Sequence, residues 1–341
     1  MIAAVLTALF FGVTPACARR SIRILGFVKA NFFRLLVALA VIGALAFAIG
    51  RGFGDQYLML ATAGAIGFGI GGIMMFRALP LLGAPLASLL VETTAAVSAA
   101  GLAWAWLDDT MTGKEVAFCA VILAGVVVGL LPYVRTAKPR KTNIRLGIVV
   151  ALVSGLAQAV SLVVTRKASI LITQAEAQKA AAAGLDPKAA PKAGTSLELV
   201  LSSAFDRLIG GLAVAVLILV AAWALSRRLA WAKASLKPAV MTAGAKGSGT
   251  TDLGRVGNAL PNKAWFWVGA NSLFGPILGV TCMVWALQTL QPGVAQSIIA
   301  VAPLIAIPFA RLLEGYRPPA MYYLGAVVAV AGLVGLKYLA G

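Results

Sequence analysis

One carboxylate in this chain stands where a carboxylate is expensive. Glu92 lies about nine residues into the apolar stretch Gly83–Trp106, roughly 14 Å along a helix axis and near the middle of a ~30 Å hydrocarbon core. A charge at that depth costs on the order of a few kcal/mol unless it is paired, protonated or wetted. Two accounts follow. Either Glu92 takes up and releases protons or binds a cation, or it is a protonated group hydrogen-bonded to a neighbouring helix. No other acid is set so deep among apolar residues.

Neutral polar residues occupy other apolar stretches: Gln158 and Ser161 in one, Asn271 and Thr281 in another, Gln296 and Ser297 in a third. Such groups either line a cavity or bond helix to helix, the latter worth ~0.6 kcal/mol on average. Asn271 and Gln158 are the best lining candidates because their neighbours are apolar. Trp285 could offer a stacking face, whereas Trp265 and Trp267 read as interface anchors. Arg77 could reach toward Glu92; snorkelling to the interface is the simpler account. Arg34 and Arg207 each follow a Phe near a segment start, which suggests a shared structural role, and Asp206 beside Arg207 makes a locally neutral pair. Glu314 sits among Arg311 and Arg317 as an interfacial ion pair.

Much chemistry is excluded. The chain has no histidine, which removes the commonest metal ligand and general base. Cys17, Cys119 and Cys282 are isolated and read as packing residues. No metal site, cofactor or ATP-binding loop is expected, and a membrane-embedded enzyme would need more than a lone Glu92.

These residues must be positioned by membrane helices. Of 341 residues, 61% are hydrophobic and 12% charged, with mean hydropathy +0.94, far outside the range of soluble domains. Ten stretches, most near the ~20 residues a spanning helix needs, run from Ile2–Ala18 to Met321–Leu339; β-barrel strands would instead alternate. The first stretch lacks the basic leader of a signal peptide and reads as a retained helix. The net charge of +18 is sorted by loop. Arg19, Arg20 and Arg23, the run Arg135–Arg145, and the run Arg227–Lys263 all fall on one side, with only Asp252 and Glu314 as acids there. That is the positive-inside pattern. It puts both termini outside the cytoplasm of a cell (inner) membrane, and it offers basic loops to lipid headgroups, with no nucleic acid implied.

The chain also repeats. Gly67, Gly71, Met75, Ala78, Leu79, Leu82 and Ala87 fall on Gly275, Gly279, Met283, Ala286, Leu287, Leu290 and Ala295, a shift of 208 residues. Ten helices split at the basic linker into five and five. Because five is odd, the copies cross the membrane in opposite senses. The expected fold is all-α, a polytopic bundle of ten transmembrane helices as two inverted five-helix repeats. Residues 1–133 form the first, 134–145 a linker, and 146–341 the second, with long loops near 169–196 and 233–263, the former opening on Thr173 to Ala183, which could form a short surface helix. Inverted repeats are the sequence signature of secondary transporters. A flippase for a lipid-linked molecule, or a non-transporting scaffold, is the alternative.

The stretch Ala286-Leu287-Gln288, Pro292-Gly293-Val294-Ala295, Ala302-Pro303-Leu304, Leu313-Glu314 and Gly325 to Gly332 is similar to the C-terminal half of EamA-like members of the drug/metabolite transporter superfamily. The first repeat resembles it more faintly, with Thr93-Thr94 in place of Ala-Pro and Asp108-Asp109 in place of the acidic residue. The resemblance implies a ten-helix bundle with a central cavity for a small molecule, of unspecified identity. It also implies cytoplasmic termini, against the loop charges, which we follow here.

Overall fold

The computed structural model describes residues 1–136, 144–182, 197–229, 235–236, 264–314 and 318–338. Residues 137–143, 183–196 and 237–263, which hold most of the basic linker and the two long loops, lie outside the described residues, as do the side chains of the ion pair expected at Glu314. Every regular element among the described residues is helical.

Among the described residues we number ten helices. They are α1 (Ile2–Leu25), α2 (Phe27–Ala48), α3 (Tyr57–Leu82), α4 (Ala84–Leu107), α5 (Gly113–Thr136), α6 (Ile144–Ala182) and α7 (Leu197–Leu225). Then come α8, in the segments Ala264–Ser272, Leu273–Gly279 and Val280–Thr289; α9, in the halves Pro292–Ile299 and Ala302–Glu314; and α10 (Ala320–Tyr338). All but α9 are long and apolar enough to span a membrane unbroken. Large side chains such as Phe47, Val97, Trp104, Leu217, Trp223 and Val327 are exposed on the outside of the bundle, as expected where the solvent is lipid.

Packing follows the repeat. Helix α2 packs on α7 and α5 on α10; α4 packs on α6 as α1 does on α9; α3 packs on α6 and α7 as α8 does on α1 and α2. Exchanging α1–α5 for α6–α10 maps this set of contacts onto itself. The backbone repeats as well. Ala65–Gly71 of α3 and Leu273–Gly279 of α8 are both wound as π-helix, in equivalent positions. Glycine pairs four residues apart sit inside each π segment, where a side chain would strike a neighbouring helix: at Gly67 the side chain of Ser161, at Gly279 the ring of Phe11. Proline contributes in the second copy, since Pro276 cannot donate an N–H to the ladder.

Three elements differ from the sequence expectation. Helix α6 runs 39 residues without a break, about 58 Å, because the Ala, Gln, Glu and Lys run after Ser169 continues the spanning helix, so that the helix expected from Thr173 is its extension and not a separate surface element. It projects beyond the bundle on the side of the α2–α3 turn, where Glu176 meets Arg51 at 2.7 Å and Lys179 meets Asp55 at 3.3 Å. Helix α7 starts at Leu197, a further three turns ahead of the expected Leu208. Helix α9 is interrupted at Ala300 and Val301, since Pro303 has no N–H for the Ile299 carbonyl and its ring crowds that oxygen.

Both termini lie on one face: the Met1 amine is held below its ordinary pKa by burial and then by the ammonium of Lys337 near the end of α10. The turns after α1 and α3 lie on the opposite face. With the basic loops after α1, α5 and α7 cytoplasmic, a fluorescent protein that matures only in the cytoplasm, fused after Gly341, is expected to stay dark. Bright cells would reverse the orientation.

Candidate functional site

The site is built where the two π segments loosen the backbone. A π turn displaces carbonyls from the regular ladder, and neighbouring side chains take them up. Ser161 Oγ of α6 donates to the Ala63 carbonyl at 2.7 Å, Ser154 Oγ donates to that of Gly71 at 2.8 Å, and Asn31 Nδ2 of α2 donates to that of Phe68 at 3.3 Å. Helix α3 is thereby held at a crossing of α2, α6 and α7. Between these helices and α1, α4, α8 and α9 lies a crevice of about 980 Å³, counting its open mouth.

Glu92 faces this crevice from α4. Its carboxylate accepts a 2.7 Å hydrogen bond from Gln296 Nε2 on the first half of α9, and the side chain is 9% exposed. The bond joins the two repeats. Under the 208-residue shift Glu92 corresponds to Ala300, the point at which α9 breaks, and Gln296 corresponds to Ser88, one turn before Glu92 and also lining the crevice. One repeat thus carries an acid where the other carries an interrupted helix.

Two arginines complete the lining. Arg207 of α7 is 1% exposed. One of its terminal nitrogens donates to Ser161 Oγ at 3.0 Å, and its guanidinium lies 4.9 Å from the centre of the Phe68 ring. Its Nε and NH1 are buried with no hydrogen-bond partner. Arg34 of α2 donates to Asn31 Oδ1 at 2.8 Å and lies 4.7 Å from the Phe76 ring, with its Nε unpartnered. A buried cation–π contact is worth about 2 kcal/mol, well short of the several kcal/mol it costs to bury an ion. Asp206 does not neutralise Arg207: its Oδ2 accepts the Gly54 N–H at 3.0 Å on the other side of α7. The neutral pair read from the adjacent residues is therefore not formed.

Of the residues singled out in the sequence, Glu92, Gln158, Ser161, Gln296, Arg34 and Arg207 line the crevice together, with Gln158 donating to Ser154 Oγ at 3.5 Å. Asn271, Thr281, Trp285, Arg77 and Ser297 do not line it. Asn271 is fully buried with both polar atoms unpartnered. Thr281 Oγ1 donates to the Ile277 carbonyl of its own helix. Trp285 is 40% exposed, and Arg77 is half-buried near the end of α3. Trp267 carries the Arg20 guanidinium 3.9 Å from its ring centre, and Trp265 meets Phe33 edge-on. The sequence signal for the arginines was their recurrence after Phe in both repeats; only packing shows that both face one space.

The crevice occupies one half of the bundle. Its lining reaches Leu79 in the last turn of α3, Ala18 of α1 and Ser88 of α4, all toward the α1–α2 and α3–α4 turns. Toward the termini, the first nine residues of α1, the first turns of α3 and everything beyond Glu92 on α4 contribute nothing to it. That half is shut by Arg166 of α6. Its Nε pairs with Asp109 at 3.2 Å, and its NH1 donates to the carbonyls of Leu287 and Gln288 at the end of α8, each at 3.0 Å. Gln291 Nε2 adds a 2.9 Å bond to the Thr110 carbonyl.

The profile of the EamA-like transporter family matches residues 1–131 and 180–338. The chain belongs to the EamA-like transporter family. It is accordingly a multi-pass membrane transporter of the drug/metabolite type. Most of α6, with Gln158 and Ser161, falls between the two matched segments. No curated protein sequence matches the chain. A crystal structure described only as that of a protein is 14% identical, covers 99% of this chain with 96% of its own, and superposes with a TM-score of 0.66. At that identity the likeness is one of fold alone.

Proposed function

We propose that this chain is a secondary transporter of the cell (inner) membrane that moves a small organic metabolite by alternating access, with Glu92 as the proton-coupling group. The observation that carries the reading is the Glu92–Gln296 bond. A carboxylate in a crevice whose lining extends toward one face, bonded across the joint between two pseudosymmetric halves, has its surroundings changed whenever the halves rock. It can take a proton with the crevice open to one side and release it with the crevice open to the other. Protonation turns the Glu92 carboxyl from an acceptor-only group into one that can also donate, and it weakens the Gln296 contact from a charge-assisted bond to a neutral one. Proton occupancy and the relation between the repeats are thereby linked.

Glu92→Gln keeps the shape and removes the titration. In proteoliposomes, with a panel of labelled metabolites, the variant is expected to lose at least about 10-fold of the uptake driven by an imposed pH gradient. It should keep exchange of solute for solute at equal pH. Uptake equal to wild type with the same pH dependence would make Glu92 a structural hydrogen-bonder.

A further inference from the structure

We infer that the substrate is a small organic anion, held by the guanidinium groups of Arg34 and Arg207; this rests on the transporter reading above and names the substrate class of the same crevice.

The charged residues that line the crevice are Arg34, Arg207 and Glu92. The one acid is engaged by the neutral Gln296 amide, and the nearest acid in sequence to either arginine, Asp206, is bonded to the Gly54 N–H. The space is therefore positive with Glu92 charged, and more so with Glu92 protonated. Guanidinium groups are planar forks with five N–H donors and bind carboxylate or phosphate oxygens in pairs. On Arg207, Nε and NH1 are buried without partners. These donors lie on either side of NH2, which spends one of its two hydrogens on Ser161, so each side of the guanidinium offers an unpaired N–H to an oxyanion. The stems are fixed: Phe68 and Phe76 of α3 lie against the two guanidiniums, and Ser161 and Asn31 hold one nitrogen each. A cation fits this space badly, because only Glu92 would attract it and two buried positive charges would repel it.

The same arrangement gives the coupling its sign. Anion and Glu92 carboxylate compete for one positive field. Protonating Glu92 frees that field for the anion, and losing the proton expels it. Proton and anion are thus expected to travel together.

The arginines lie at different levels. The Cβ position of Gly72 is 3.1 Å from Arg34 NH2, while that of Gly67 touches the Ser161 hydroxyl that holds Arg207. Five residues of α3 separate the two glycines, more than one turn of helix. Two guanidiniums carry more donors and more charge than one carboxylate uses, so a dianion is expected to bind more tightly than a monoanion.

The test uses detergent-purified full chain and proteoliposomes, with succinate and glycerol 3-phosphate as dianions, acetate as monoanion, leucine as zwitterion and putrescine as cation. Succinate or glycerol 3-phosphate is expected to raise the melting temperature and to support counterflow of its own label. Acetate should be at least about 10-fold weaker, and putrescine without effect. Arg207→Gln and Arg34→Gln should each reduce anion protection at least about 10-fold, with Arg207→Lys intermediate. Excess sulfate should compete in the wild-type protein, a readout that does not depend on whether the variants fold. Protection or counterflow by putrescine or leucine with none by the anions would overturn the anion assignment and leave the transporter reading standing. No protection by either dianion, or protection unchanged in both glutamine variants, would also overturn it. Protection by dianions that depends on the arginines, without counterflow of any solute, would keep the binding assignment and remove transport.

Discussion

Gly210→Leu is expected to leave no folded protein in a detergent extract. A Cβ at Gly210 would overlap the carbonyl oxygen of Ala61, and one at Gly64 would overlap the carbonyl of Arg207, so α3 and α7 cross backbone on backbone. In hydrocarbon there is no hydrophobic drive to hold helices together, and close packing through small residues takes its place. Extra volume in a well-packed core typically costs about 1–3 kcal/mol where side chains can shift. Here the obstacle is backbone, on both sides of one crossing, so the cost is expected to exceed that range. The crossing also sets the stem of Arg207 and the first turns of α3, which ties the stability of the bundle to the shape of the crevice. Gly101→Ala is the control, since its Cβ meets nothing within 4 Å. Fluorescence-detected size exclusion should show a monodisperse peak for Gly101→Ala and aggregate for Gly210→Leu. A monodisperse Gly210→Leu with an unchanged melting temperature would mean that the helices do not cross as described.

Arg166→Gln is expected to open the shut half of the bundle. The wild-type side chain ties three parts together: α6, the turn carrying Asp109, and two carbonyls in the last turn of α8. Both partners of the ion pair are 16% exposed, so the pair is screened less than a surface one. Hydrogen bonds to a charged group contribute about 1.5–3 kcal/mol each, and every 1.4 kcal/mol changes a conformational ratio by about 10-fold. A shift of one to two orders of magnitude toward the state open at the termini side is therefore expected. Hydrogen–deuterium exchange reads it: amides of residues 284–291 and 108–112 should exchange at least about 10-fold faster in Arg166→Gln, with little change at the α5–α10 contact. Asp109→Asn should do the same to a smaller extent. Exchange unchanged at both segments would make Arg166 a structural residue of a permanently closed face.

What the sequence could reveal follows from how local each signal is. The repeat was legible because close helix crossings need glycine, and the glycines recur at a fixed shift. That the same glycines sit in π turns was not, because winding depends on the hydroxyls of Ser154 and Ser161 arriving from α6. Glu92 announced itself by depth alone. Gln296 was legible as a polar group in an apolar stretch, but its pairing with Glu92 was not, since a bond between two helices 204 residues apart leaves no local trace. Arg34 and Arg207 were read as fold-shaping residues for the same reason: Asp206 beside Arg207 suggests a neutral pair, but successive residues on a helix point about 100° apart, and Asp206 faces Gly54. The length of α6 was hidden by composition, since an Ala, Lys and Gln run suits both an exposed helix and a linker.

If the crevice shared by Glu92, Gln296 and the two arginines opens to one face of the membrane at a time, a thiol placed in it reacts from one side only, and sided labelling of Ser88→Cys reads this. Ser88 lines the crevice within about one turn of Glu92, and cysteine is nearly isosteric with serine. The native Cys17, Cys119 and Cys282 are replaced by alanine first. A membrane-impermeant thiol reagent is predicted to label the introduced thiol from the face of the α1–α2 and α3–α4 turns, and to do so at least about 10-fold more slowly from the face of the termini. Labelling from the termini face should rise in the Arg166→Gln background. Equal labelling from both faces would describe a channel, and labelling from neither would remove the crevice; either result contradicts the account.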